Sequence, residues 1–307
     1  MPPKWAVFVL LQKTYKHCIV ISKISYMPDR LFLFAGFNKD CIIDDALLYY
    51  VKSLSKYGDV ILCMDCTCKK SEIEKIKKYT IHTVAKRHGE YDFGSYKRCF
   101  EYAYENELLK NYKYVYLMND SVFGPLYDIK KTLEKLENNP ADACGMVVSK
   151  HKTHAFIESW FIRLNKNIFM SAWFHNFMYT VKKEPGKIEV TIKYEHGLSN
   201  LVKNNGCSLS GLFIRHGRFT YNMPKYLFKH GCPFIKKLSF TRHNGMLGKQ
   251  IKYILNHCDK TAANAIIKTA NYLYGKKYMN WLLTYNPLEI LYRTIIYSKN
   301  KLKDGWI

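Results

Sequence analysis

No stretch of the 307 residues reaches the ~20 consecutive apolar residues that a membrane-spanning helix needs. The best run, Trp5–Leu11, is short, sits between Lys4 and Lys13, and is followed by no small-residue cleavage pattern. Neither a spanning segment nor a secretory leader is expected. Acidic residues are scarce: 25 Asp and Glu face 48 Lys and Arg, for a formal net charge of +23 and a pI near 9.5. Such an imbalance favours anionic partners, and three fit: nucleic acid, an anionic membrane face, or phosphorylated substrates. No zinc-finger, homeodomain or aromatic RNA-recognition pattern is present, which sets nucleic acid behind the other two. Internal repeats and low-complexity linkers are also missing.

What is present suits a globular enzyme. With 48% hydrophobic and 15% aromatic residues, the chain can bury one large core and a smaller satellite. A disulfide framework belongs to short secreted chains, so the ten cysteines are expected to be reduced thiols in the cytosol. In Cys63-Met-Asp-Cys66-Thr-Cys68 one C-x-x-C spacing suits zinc, but no matching second pair follows, and His82 or His88 would have to complete the tetrahedron. The alternative is a strand over 60–64 ending in a loop whose cysteines fill small apolar gaps.

Periodicity predicts alternating strands and helices. Strands are expected over 31–35, 60–64, 81–85, 114–118 and 145–148, and helices over 44–57, 71–79, 96–110 and 128–137. Ser71 and Glu74 have the spacing of a capping box. The alternation implies βα units and a largely parallel sheet. From Met246 to Ile307, ten Lys and Arg face three acids. Ile251, Ile254 and Leu255 fall at i, i+3, i+4, as do Ala263, Ile266 and Ile267, so one helical face is apolar and the other basic. That face either lies on anionic lipid or packs on the preceding domain with its lysines solvated.

Two segments stand out for chemistry. In Tyr114-Val-Tyr-Leu-Met-Asn-Asp-Ser-Val-Phe-Gly-Pro-Leu126 an apolar run ends abruptly in polar residues. A strand ending there presents Asn119, Asp120 and Ser121 where open α/β sheets bind ligands. A carboxylate at that point can accept from ribose hydroxyls or hold a hard divalent cation against a diphosphate. Equally, these residues are turn formers after a buried strand. In Arg87-His-Gly-Glu-Tyr-Asp-Phe-Gly-Ser-Tyr96, Arg87 can pair with diphosphate oxygens and Asp92 can accept from a base or ribose, with Gly89 and Gly94 letting the backbone come close to the ligand. Asp92 also suits the N-cap of the helix that follows.

The ordered set Ile43-Asp-Asp45, Tyr91-Asp-Phe-Gly-Ser-Tyr96, Asn119 through Leu126, His154 with Glu158-Ser-Trp-Phe161, Tyr194-Glu-His-Gly-Leu198, then Asn222–Pro224 and Pro233-Phe-Ile-Lys-Lys237 resembles the rhamnan synthesis F family over about residues 31–240. The resemblance implies a glycosyltransferase of bacterial surface-polysaccharide or lipopolysaccharide assembly. Its fold class is α/β, a GT-A-like, Rossmann-type nucleotide-binding sheet with a helical, basic C-terminal region. Residues 1–30 would form an N-terminal extension, 31–150 the nucleotide-sugar half, 151–240 the acceptor half, and 241–307 a basic amphipathic tail. The chain departs from the family pattern at Glu158, where Gln is usual, and at His196, where an apolar residue is usual; both changes fall on the acceptor side.

The implied donor is a nucleotide-diphospho-sugar, dTDP-rhamnose by default, and the acceptor a glycan or lipid-linked glycan. Arg87, Asp92, Gly94, Asn119, Asp120 and Ser121 would bind the donor; His154, Glu158 and Trp160 would line the acceptor groove. Glu195 resembles in position the acidic base of inverting GT-A enzymes, with an exposed helix-start carboxylate as its alternative. Asp120 is the other catalytic candidate and the single charged ligand available to Mg²⁺ or Mn²⁺. Lys236 and Lys237 either reach the diphosphate or are surface lysines. Such an enzyme would be cytoplasmic, and peripheral on the inner face of the membrane where a lipid-linked glycan grows. A non-catalytic membrane-associated partner of polysaccharide assembly is the alternative.

Overall fold

A computed structural model describes residues 29–150, 155–216, 219–242 and 245–284, together with 287, 288, 290–292, 294 and 295. Ten strands are formed among them: β1 (Arg30–Gly36), β2 (Asp59–Met64), β3 (His82–Ala85), β4 (Tyr114–Asn119), β5 (Val122–Phe123), β6 (Ala143–Lys150), β7 (Ala155–Ile157), β8 (Phe161–Asn165), β9 (Leu209–His216) and β10 (Ile235–Lys236). Nine helices of seven residues or more accompany them: α1 (Asp45–Leu54), α2 (Lys70–Ile76), α3 (Tyr91–Glu105), α4 (Lys130–Glu137), α5 (Ala172–Tyr179), α6 (Gly197–Asn204), α7 (Gly245–His257), α8 (Lys260–Tyr274) and α9 (Lys276–Leu283).

The main sheet is ordered β3-β2-β1-β4-β8-β6, and its first four strands are mutually parallel. Strands β1 and β4 are buried along almost their whole length, as a parallel sheet covered on both faces requires. After β3 the chain crosses back to place β4 on the other side of β1, so a topological switch point lies between β1 and β4. Beyond β4 the sheet changes character. Strand β8 runs antiparallel to both β4 and β6, while β6 takes β9 in parallel along one edge and β8 and β7 along the other. The expected strand over 145–148 is therefore longer, and an antiparallel strand stands between it and β4.

Most helices fall where periodicity placed them. Asp44 caps α1, its carboxylate accepting from the Leu47 N–H at 2.9 Å, while Leu47, Val51 and Leu54 enter the core. Helix α3 starts five residues before the expected 96, so Asp92 lies in its first turn and is not its N-cap. The Ser71–Glu74 capping box does not form: Lys69 takes the N-cap position with no side-chain cap, and Glu72 accepts from the Ile43 N–H at 2.8 Å. Glu158 lies between β7 and β8, with no helix there to pair it with His154, and His154 itself lies outside the described residues.

The C-terminal helices pack on the sheet domain. Ile251, Ile254, Leu255, Ala263 and Ile266 are buried against Ala46, Phe123, Leu126, Ile235 and Phe240, while Lys252, Lys260 and Lys268 stay exposed. These residues of the apolar stripe are thus used within the molecule, while Ile267 at its edge stays 36% exposed. No helix among the described residues is long and apolar enough to cross a membrane. Cys63 ends in β2 and Cys66 and Cys68 are buried among apolar neighbours; burial pushes the Cys63 thiol up to about 11 and Cys66 to about 12. Among the described residues no three His, Cys, Asp or Glu side chains cluster as metal ligands.

Candidate active site

The carboxyl ends of β1, β2, β3 and β4 open into a cleft of about 1170 Å³. Gly36 ends β1 and Phe37 follows it, Asp65 follows β2, Arg87 and His88 follow β3, and Asn119 ends β4 with Asp120 and Ser121 after it; all line the cleft. The backbone fixes the β4 end directly, since the Asp120 N–H donates to the Ala35 carbonyl at 3.1 Å across the switch point. This is the place where open α/β sheets hold ligands.

The floor is a partly buried polar network centred on Asn119. Asn119, 1% exposed, donates from Nδ2 to Asp92 Oδ2 at 2.9 Å and accepts at Oδ1 from the Ser121 N–H and hydroxyl at 3.0 and 2.6 Å. Asp92 is thereby drawn into the cleft from the first turn of α3. Burial, reinforced by the nearby Asp120 charge, raises its pKa to about 6. Asp120 is also pushed above the ordinary aspartate range by burial, against the pull of Lys237, whose ammonium lies 3.0 Å from Oδ2.

The opposite wall comes from the second half of the chain. A continuous helical stretch runs from Lys187 through α6, and its middle, Thr191–His196, is a π-helical turn. Such turns concentrate at functional sites. Glu195 sits in it, so it is not at a helix start, and its Oε1 accepts from the Ser159 N–H at 2.5 Å. Burial raises the Glu195 pKa. Lys236 enters from the end of β10, which pairs antiparallel with β5 immediately after Ser121, and Lys237 follows it. Gly124 makes this ribbon possible: with φ at +147°, its missing Cβ would stand 2.5 Å from the Pro233 carbonyl oxygen.

The rhamnan synthesis protein F family model matches residues 60–302, which takes in β2 through the C-terminal helices. The chain belongs to the rhamnan synthesis protein F family. With that membership comes a glycosyltransferase-like, nucleotide-sugar-using class of activity, matching the α/β fold and the position of the cleft. No curated protein matches the sequence significantly. Among solved structures, a nucleotide-diphospho-sugar transferase from Desulfovibrio desulfuricans G20 is 15% identical over 82% of this chain and 99% of its own, with a TM-score of 0.38. Core-mannan synthase A from Aspergillus fumigatus, in a Mn/GDP form, is 10% identical over 52% of this chain and 65% of its own, at 0.30. The mannosyltransferase Ktr4p from S. cerevisiae, in complex with GDP, is 8% identical over 50% and 60%, at 0.31. At these scores the likeness carries no functional argument.

Within this family member, the cleft brings together Arg87, Asp92, Asn119, Asp120, Ser121, Glu158 and Glu195. Three expectations change. Gly94 does not reach the cleft; the space its missing side chain leaves faces His88 and Glu90, whose side chain stands nearest to where a Cβ would be. Trp160 is buried beneath the wall, donating from Nε1 to Glu158 Oε2 at 2.7 Å. Glu158 borders the cleft, but its oxygens are engaged by Trp160, Ser149 and Thr220, so it braces the wall. Arg87 is partly engaged: it donates to the Asp65 carbonyl at 2.9 Å and lies over the half-exposed ring of Phe37.

A divalent cation does not fit the donor set. Asp120 carries the one charge at the end of β4, and that carboxylate is already paired with an ammonium. The Asn119 amide oxygen accepts two hydrogen bonds from Ser121, and Asp92 is held by Asn119. A hard cation needs several oxygens free to turn towards it, so no step is routed through a metal. Sequence reasoning missed Asp65, whose Oδ1 accepts from the His88 and Gly89 N–H groups at 2.8 Å and so shapes the loop after β3. It also missed Tyr274, which reaches the cleft from α8. Asp65 ends an apolar strand much as Asp120 does, a signal that could have found it; Tyr274 gave none.

Proposed function

We propose that this protein transfers a sugar, with rhamnose as the first choice, from a nucleotide-diphosphate donor to a growing surface-polysaccharide or lipopolysaccharide glycan. The observation that carries this reading is the convergence, at one switch-point cleft, of donor-side polar groups from the ends of β3 and β4 and the start of α3 with a partly buried carboxylate, Glu195, on the facing wall. Arg87, Asp92, Asn119, Asp120 and Ser121 take the nucleotide and sugar hydroxyls. The acceptor enters between Glu195 and the wall that Glu158 and Trp160 brace.

Glu195 acts as the general base. The Ser159 N–H and side chain hold the carboxylate at the cleft wall, where an acceptor hydroxyl would meet it. As that hydroxyl oxygen bonds to the anomeric carbon, its proton passes to Glu195, and the bond from sugar to diphosphate breaks with its electrons leaving on the nucleoside diphosphate. A carboxylate with a raised pKa is a better match to this task near neutral pH than an ordinary one. The exposed lysines of α7 and α8 provide electrostatic attraction to an anionic membrane at its cytoplasmic face, where a lipid-linked acceptor would be presented.

The test has two parts. Purified protein is heated with dTDP-, UDP- and GDP-sugars, and one nucleotide class is expected to raise the melting temperature, because a ligand of the folded state adds to its stability. With that donor and a glycan acceptor, Glu195→Gln is expected to lower kcat by about 100-fold or more while leaving the donor-induced shift unchanged. Folded protein that responds to no donor would sink the reading and leave the non-catalytic assembly partner in its place.

A further inference from the structure

Lysines 236 and 237 are placed where a charge-neutralising cation would be wanted. Lys236 is 9% exposed; its ammonium donates to Ser121 Oγ at 3.2 Å and lies 5.0 Å from the centroid of the buried Trp160 ring. Burial lowers its pKa, and the carboxylates of Glu158, Glu195 and Asp92 oppose that fall. Lys237, with side-chain exposure of 19%, meets Asp120 at 3.0 Å, and its N–H donates to the Ser121 carbonyl at 2.9 Å. Both side chains line the cleft, although neighbours on a strand ordinarily point apart. The short ribbon of β5 and β10 ends at this point, and Lys237 begins the helical turn that follows, which allows it.

A buried ammonium with one hydrogen-bond partner has donors left for an anion. Keeping such a charge out of water is costly unless something repays it. The carboxylate chemistry beside these lysines gives a divalent cation little to hold, as the pairing of Asp120 shows. We propose that the ammonium groups of Lys236 and Lys237 bind the diphosphate of the donor and of the product nucleoside diphosphate, and that this site requires no divalent cation. The proposal rests on the nucleotide-sugar reading above and specifies how that site handles its ligand's charge. On ligand entry Lys237 exchanges part of its contact with Asp120 for phosphate oxygens, and Asp120 is left to accept from hydroxyls.

The experiment is calorimetric titration of the full chain with dTDP, UDP, GDP and inorganic pyrophosphate, in excess EDTA and again with Mn²⁺ or Mg²⁺. At least one nucleoside diphosphate is expected to bind in EDTA with an affinity within about threefold of that measured with metal. Lys236→Met and Lys237→Met are each expected to weaken that binding by about tenfold or more, as the loss of a charge-assisted contact would. Lys237→Arg, which keeps the charge opposite Asp120, should recover most of the loss. The wild-type comparison stands even if a Met variant does not fold. Binding that appears only with metal overturns the lysine site and leaves the transferase reading in place. Met variants that fold and bind as tightly as wild type overturn it as well. No binding of any nucleotide under either condition overturns both.

Discussion

Asp92 is a cleft carboxyl whose surroundings move its titration towards the physiological range. Its pKa of about 6 lies above the ordinary 3.8 because burial and the Asp120 charge both disfavour ionisation. The folded protein therefore holds the Asp92 proton more tightly than the unfolded chain does. Its contribution to stability is fully present below the unfolded value near 4 and is lost as pH rises through about 6. Between pH 4.5 and pH 7.5 this amounts to about 2 kcal/mol, since each tenfold difference in proton affinity is worth roughly 1.4 kcal/mol. Urea denaturation at the two pH values should show wild type losing about that much more stability than Asp92→Asn, whose amide oxygen can still accept from Asn119. Equal losses in the two proteins would mean that Asp92 ionises normally. The sequence offered Asp92 as a ligand or an N-cap; its depth beside Asp120 depends on two segments that only the folded sheet brings together.

At the scale of elements, the ribbon of β5 and β10 decides where the two lysines stand. Each strand has two residues, too short for any periodicity to reveal. The family motifs took in both Gly124-Pro125 and Pro233–Lys237, but nothing in the sequence paired them. Gly124→Ala must place a methyl against the Pro233 carbonyl at a backbone angle that L-residues rarely adopt, and an expected cost of about 2–4 kcal/mol follows. The same shift should loosen nucleoside diphosphate binding, read by titration at a temperature where the variant is folded. A variant that keeps both its unfolding midpoint and its affinity would show that the ribbon tolerates separation. The long apolar strands were legible because a strand buried on both faces is a continuous apolar run. The start of α3 was not, since Tyr91-Asp-Phe-Gly-Ser95 carries the polar and glycine content of a loop and only packing of Phe93 and Tyr96 makes it helical.

For the whole molecule, the question is whether the basic C-terminal region is an appendage or a part of the enzyme. The sequence left both open, because an amphipathic stripe has the same spacing whether it meets lipid or protein. The contacts distinguish them. Thr269 on α8 accepts from the Ala46 N–H at 3.0 Å and donates to Asp44, Tyr272 donates to Asn38 at 3.1 Å, and Tyr274 donates to the Lys237 carbonyl at 3.2 Å. The helices thus support the loop after β1 and the lysine pair at once, over a common apolar core with Phe123 and Phe240. A chain ending at residue 244 would expose that core and remove three of the cleft's outer supports. It is expected to unfold with a lower midpoint and a smaller dependence on urea, since less surface is buried, and to lose stabilisation by nucleoside diphosphates. If the shortened chain instead unfolds at the wild-type midpoint and still binds nucleotide, the C-terminal helices are an appendage. Their lysines would then be the part of the molecule to test against anionic vesicles.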